Sequence, residues 1–264
     1  MEFFAASPEV DATALLKDAI VVAPAISFAN MGQLVVDVLV NSALGQVMDM
    51  QRVGYLFSKR VAPMAGAAAF ATQAAGDLCL NMEVYLMSYP LPNSSAVQKV
   101  AFVQQRTSVL PGQSAAFVRE FVAWTKLVQA ASVLLLAGAD NMLCHDRDMH
   151  VHRIKWAGAN GPFFNDAFLA MIPRLPLADG DATVWDATRG TGLAPAMDRE
   201  AASQHMNFLS FVLFCAEGNN VPDAVYLASC VAQYLQLPPA SFKLQLPPSW
   251  SHLFGRDPSV SLFL

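Results

Sequence analysis

Residues able to do chemistry are sparse in this chain and gather in a few places. CHDRDMHVH, residues 144–152, packs Cys144, His145, Asp146, Asp148, His150 and His152 into nine positions, all of types that ligate metals. A closed metal site needs ligands from a second segment, and no CxxC or HxxxH occurs anywhere in the sequence. A solvated loop is therefore expected and no metal is assigned. RGTG, residues 189–192, has the glycines of a phosphate cradle ahead of a helix. It lacks the P-loop lysine and the GxGxxG spacing, so no cofactor is expected. Glu217 and Asp223 flank a turn and are of the type used as an acid–base pair. No nucleophile or oxyanion donor stands near them, and helix capping explains them more simply. No GxSxG, HExxH or SxxK is present, which removes the common hydrolase signatures. Asn30, Gln33 and Asp37 follow the first apolar run, where an open α/β sheet places its ligands. Gln33 and Asp37 share a helical stripe with Asn41, so a wet helix edge or a partner contact is expected of them. Finally, SVSLFL puts Leu262, Phe263 and Leu264 at the end of the sequence, an apolar triplet with a carboxylate that needs somewhere to go.

The elements that must position these residues follow from periodicity. IVVAPAISFA, residues 20–29, is a near-continuous apolar run, as expected of a central strand covered on both faces. Met31 and Gly32 turn the chain into QLVVDVLVNSAL, residues 33–44, a largely apolar helix. RVGYLFS, MEVYLMS, VQKVAFVQQ and SVLLLAG read as strands. GQSAAFVREFVAWTKLVQA, just before the last of these, reads as a crossover helix. Strand, helix and strand in that order imply an α/β fold with a mostly parallel central sheet and helices on both faces. Residues 63–77 and 158–192 are rich in Ala, Gly, Pro and Asp and read as long loops with short helical pieces. MDREAASQHMNFLSFVLFCAEG, residues 197–218, reads as a mostly apolar helix stopped by Gly218. In the next helix Asn220 is placed to cap, Pro222 fits the first turn, and Asp223 suits the positive helix end. Leu227, Val231 and Leu235 form its expected buried stripe. No internal repeat is found.

Composition narrows the function classes. Over 264 residues only 14% are charged while 55% are apolar, against about 25% charged in ordinary soluble domains. The longest apolar runs fall short of the ~18 residues of a bilayer helix. The opening MEFFAASPEVD lacks a basic leader, and the four cysteines stand apart. These features lead to the expectation of a reducing, intracellular setting. A net charge of −5 without a basic run argues against nucleic acid or an anionic membrane as partner. The apolar excess suggests a subunit that covers part of its surface with another protein.

PAISFANMGQLVVDVLV, RVGYLFSKRVAPMAG, EGNNVPDAVYLASCVAQYLQL and LPPSWSHLFG, in this order and spacing, resemble the PAC2 family of proteasome assembly chaperones over nearly the whole chain. RGTG sits where that family has a glycine turn before its penultimate long helix. The resemblance implies a three-layer sandwich of the phosphorylase/hydrolase-like type over residues 1–254, with a flexible tail at residues 255–264. It implies no catalysis and no cofactor, a cytoplasmic and nuclear location, and a heterodimer with proteasome assembly chaperone 1. That pair would bind proteasome alpha subunits, promote assembly of the alpha ring of the 20S core particle and shield its outer face. Asn30, Gly32, Gln33, Asp37, Glu217, Gly218, Asn220, Pro222, Asp223 and Trp250 lie in the matching blocks as structural or partner-facing positions. Related chaperones end in a hydrophobic residue, a tyrosine and any residue. Leu262 fits the first position, Phe263 replaces the tyrosine and Leu264 supplies the carboxylate for docking between alpha subunits.

Two other readings fit parts of the sequence. The same scaffold carries nucleoside phosphorylases and hydrolases, and fold alone does not fix function. Leu262 and Leu264 also match the carboxyl-terminal ligand of PDZ domains, which makes an adaptor the other alternative.

Overall fold

The computed structural model describes residues 1–7, 11–46, 49–74, 76–92, 94–143, 153–176, 183–186 and 188–252. The candidate ligands of residues 144–152 and the apolar triplet Leu262, Phe263 and Leu264 lie outside them. The described strands are β1 (Glu2–Ala5), β2 (Ile20–Pro24), β3 (Asp49–Phe57), β4 (Ala65–Ala67), β5 (Leu78–Leu80), β6 (Glu83–Pro90), β7 (Val97–Gln104), β8 (Ser132–Asp140), β9 (Ile154–Ala159) and β10 (Phe208–Cys215). The helices are α1 (Ala12–Leu16), α2 (Met31–Leu44), α3 (Ser114–Leu127), α4 (Asp166–Leu169), α5 (Ala194–Ser203) and α6 (Val221–Tyr234). Among the described residues no helix is long and apolar enough to cross a membrane.

Eight strands form one sheet in the order β1-β3-β6-β7-β2-β8-β10-β9. Its centre is parallel, through the pairs β7–β2, β2–β8 and β8–β10. Both flanks are antiparallel, with β9 on one side and β6, β3 and β1 on the other. The central strands are apolar at successive positions because each face meets its own helical layer. Ile20, Val22, Leu134 and Leu136 enter one core with α2, α4 and α6. Val21, Ala23, Val133 and Leu135 enter the other with α3 and α5. This alternation of successive residues between two cores makes the three layers.

The stretch read as one helix over residues 197–218 is a helix followed by a strand. α5 ends at Ser203, His205 adopts a left-handed φ of 52°, and the chain re-enters the sheet as β10. All eight residues of FLSFVLFC are buried there, as suits a strand between β8 and β9. A helix would have hidden only one side of that run. Residues 63–77 hold the short strand β4, and the short helical piece expected in residues 158–192 is α4. β4 pairs with β5 in a small ribbon, and residues 154–159 form β9, paired with β10.

Candidate functional site

The carboxyl ends of β2 and β8, where an enzyme of this architecture opens its crevice, are closed by the chain's own backbone. RGTG laces them together: Phe28 N–H donates to Gly190 O at 2.7 Å, Asp140 N–H to Arg189 O at 3.0 Å, and Leu193 N–H to Ala25 O at 2.8 Å. The contact is so close that a Cβ on Gly192 would lie 2.1 Å from Ile26 O, at a φ of +59°. A Cβ on Gly32, at the start of α2, would lie 2.3 Å from Leu136 O. These glycines let α2 and the RGTG turn sit against the sheet. Asn30 precedes α2 in the left-handed region, exposed and without a side-chain cap bond.

The polar stripe on α2 is not a wet edge. Asp37 and Asn41 are buried, at 7% and 1% exposure, because α2 lies on the sheet and its polar side is covered by β7 and neighbouring loops. Asp37 accepts from Gln104 Nε2 and pairs with Arg106, whose Nη2 lies 3.2 Å from Oδ1 and Nη1 3.4 Å from Oδ2. Burial works to lower the pKa of Arg106, and Asp37 more than offsets it, holding the guanidinium above its ordinary value. The Arg106 guanidinium also sits 5.7 Å from the centre of the Phe70 ring. Gln33 is half-buried and its carbonyl accepts from Gln104 at 3.0 Å. Asn41 donates to Gln245 O at 3.2 Å and accepts from Ala71 N–H at 3.0 Å, tying the C-terminal segment to the loop after β4. Gln33 Oε1, Gln104 Oε1 and Arg106 Nε have no partner among the described residues. Of the residues weighed as an enzyme's polar pocket, Asp37 thus belongs to an internal brace for α2 with Gln104 and Arg106, Gln33 joins it through its backbone carbonyl, and Asn30 stands apart.

The residues singled out around α6 lie in its first turn and in the turn before it. Asn220 holds the N-cap position but its side chain makes no cap bond. It donates to Gly218 O, and Asn219 instead accepts from Val221 N–H. Pro222 lies in the first turn. Asp223 pairs with Arg153, from the segment leading into β9. Glu217 is exposed in the turn with Gly218, whose φ is +132°. Leu227, Val231 and Leu235 are fully buried, as their spacing predicts. Trp250 is half-buried against the α2–α6 core. Among the described residues no group of three His, Cys, Asp or Glu is placed to hold a metal.

The most distinctive surface lies on the β1–β3 flank, and no residue type or spacing in the sequence singled it out. Val53 and Leu56 face the α3–α5 core. On the opposite side Tyr55 and Phe57 remain 36% and 45% exposed, and Phe4 of β1 is 42% exposed. The helical layer stops short of this flank. Phe4 stacks on Tyr55 with centroids 5.4 Å apart and meets Phe57 edge-on at 6.4 Å. Polar residues normally occupy the open face of an antiparallel sheet, so three adjacent aromatic rings there are unusual. Beside them runs a groove of about 490 Å³ lined by Tyr55, Phe57, Pro63, Met64, Leu80 and Leu110 among others, with Lys59 its one charged residue. Its walls are fixed. Ser58 Oγ donates to Glu120 at 2.7 Å and Arg60 Nε does so at 3.1 Å. Asn81 Nδ2 reaches Ala62 O at 3.0 Å, while Asn81 Oδ1 accepts from Arg106 N–H at 2.8 Å. Together these bonds hold the loop after β3 in place. The sequence signal available was the period-2 pair Tyr55 and Phe57 in RVGYLFS, which shows a face without showing that nothing covers it.

Comparison with known proteins places this geometry. The sequence profile of the PAC2 family matches residues 21–244. Proteasome assembly chaperone 2 of Danio rerio is 26% identical over 267 residues, covering 96% of this chain and 98% of that protein. The Homo sapiens protein of the same name is 25% identical, covering 91% and 93%. Among solved structures, Pyrococcus furiosus PbaA, described as an archaeal homolog of proteasome-assembly chaperone, superposes with a TM-score of 0.60. The identity is 16%, with 96% of this chain and 88% of that one covered, so this likeness speaks for the fold.

Proposed function

The chain belongs to the PAC2 family, and on that premise we propose that it is a proteasome assembly chaperone that works by gripping other polypeptides and transforms no metabolite. In this reading it pairs with proteasome assembly chaperone 1. The pair binds alpha subunits, promotes alpha-ring assembly of the 20S core particle and shields its outer face, in cytoplasm and nucleus. The observation that carries the reading is the exposed Phe4–Tyr55–Phe57 face with its preformed groove. The closed strand ends at Gly32 and Gly192 support it further, since a metabolite pocket would have opened there.

The carboxyl-terminal segment is assigned a second, weaker contact. Leu262, Phe263 and Leu264 dock in a pocket between alpha subunits, with Phe263 filling the ring site without the phenolic hydrogen bond, worth roughly 0.5–1.5 kcal/mol. Burying three such side chains yields roughly 1.5–3 kcal/mol each. Backbone ordering costs about 1–2 kcal/mol per residue, and association costs several more. The tail therefore acts by adding to a body contact through effective concentration.

A single co-purification tests both contacts. The tagged full chain is expected to bring down a second chaperone and alpha subunits. Removal of residues 262–264 is expected to weaken alpha-subunit recovery and leave the chaperone bound, while Phe57→Ser releases the chaperone. A monodisperse monomer that captures neither refutes the reading.

A further inference from the structure

The two edges of the sheet are treated differently. At β9 the chain covers its own edge: Trp156 N–H donates to Pro173 O at 3.1 Å and Leu175 N–H to Trp156 O at 2.7 Å, with Trp156 and Arg174 bridged in parallel. At β1 no such cover exists among the described residues, because β1 ends the strand order and pairs only with β3. The register says which groups are free. Ala6 N–H donates inward to Val53 O at 2.8 Å, and alternate residues of an antiparallel strand point the same way. Glu2 and Phe4 therefore turn their backbone groups toward β3, while Phe3 and Ala5 turn theirs outward.

This open edge runs directly beside the aromatic face. Phe4 belongs to both, and it sits opposite Tyr55 in the ladder. At 36–45% exposure, three rings that each bury about 200 Å² when covered offer roughly 250 Å² of apolar surface. A standard interface needs about 800 Å² per partner. The patch is thus large enough for the dry centre of an interface and too small to hold a loose peptide by itself. The charges beside this face are mixed, with Lys59 in the groove and Glu2 exposed on β1 itself.

Resting on the reading of the chain as one half of a chaperone pair, we infer that β1 receives an extended, apolar edge strand of the folded partner, which continues the sheet through the backbone groups of Phe3 and Ala5 and packs alternate side chains against Phe4, at the rim of the Tyr55–Phe57 face. Strand addition of this kind draws affinity from main-chain bonds and selectivity from the flanking side-chain sites.

The experiment removes one backbone donor and leaves the aromatic face intact. Ala5→Pro deletes an outward N–H, and proline is tolerated on an edge strand. Phe4→Pro is the contrasting change, since it removes a bond to β3. The full chain is co-expressed with proteasome assembly chaperone 1, and affinity is read by titration of the purified chains. Ala5→Pro is expected to weaken the pair roughly tenfold to a hundredfold, because a partner carbonyl is then buried without its donor, with the free chain's urea midpoint unchanged. Amide exchange on the unmutated protein is the second measurement: Phe3 and Ala5 exchange fast in the free chain and slowly in the pair. A pair that forms with full affinity in Ala5→Pro, or without protection at Phe3 and Ala5, overturns strand addition while leaving the chaperone reading intact. A wild-type chain that binds no chaperone at all overturns that reading, and the inference with it.

Discussion

Replacing Asp37 by alanine separates a buried brace from a solvated stripe. Asp37 and Arg106 meet through two contacts, of 3.2 and 3.4 Å, with side-chain exposures of 10% and 14%. At 3.2 Å and an effective dielectric of about 20 the attraction is roughly 5 kcal/mol. Taking the carboxylate away leaves the guanidinium buried against Phe70 with its charge uncompensated, and leaves Gln104 with the Gln33 carbonyl as its remaining acceptor. Breaking such a pair costs about 3–5 kcal/mol. A stripe open to water would lose about 0–1 kcal/mol. With an m-value of about 2–3 kcal/mol/M, Asp37→Ala is expected to lower the urea midpoint by roughly 1–2.5 M at unchanged m, followed by tryptophan fluorescence. Replacing both partners by leucine is expected to recover more than half of the loss, since the cost lies mainly in the stranded charge. A loss below about 1 kcal/mol in Asp37→Ala, or a double variant worse than the single, would refute the brace.

Two further outcomes are expected. Gly192→Ala places a Cβ 2.1 Å from Ile26 O at a left-handed φ and is expected to cost several kcal/mol or prevent folding, whereas Gly112→Ala, with open space around it, is expected to cost about 1 kcal/mol from its φ alone; equal melting temperatures would refute the tight packing of the RGTG turn. Stability is also expected to fall in alkali: burial raises Tyr85, Tyr89 and Tyr234, the last up to about 12, so the folded state holds these protons more tightly than the unfolded chain. Their contribution is complete below pH 10 and is lost as pH rises from 10 toward 12 and beyond, by up to about 1.4 kcal/mol per pH unit for each tyrosine, so urea midpoints that stay flat between pH 8 and pH 11 would contradict it.

Much of the architecture is legible in local patterns. Ile20–Pro24 and Ser132–Asp140 are apolar at nearly every position, as suits a strand between two layers. The spacing of Leu227, Val231 and Leu235 sets the buried face of α6. The same logic misread FLSFVLFC, because a continuous apolar run is equally a buried helix until its neighbours are known. The weak strands β1, β4, β5 and β9 carry little periodicity of their own and exist through their pairings.

Local patterns are enough to specify a two-faced apolar sheet with helices against it, since residue type and period are local properties. Only the tertiary structure decided which polar and apolar residues are covered. Gln33, Asp37 and Asn41 look like a wet edge in sequence and become an internal brace, because β7 and the loop after β4 close over α2. Tyr55 and Phe57 sit at alternate positions of an apolar strand and remain on the surface, because α3 covers the other face of β3 and no described residue covers theirs. Coverage depends on which distant segment arrives, and no window along the chain contains that information.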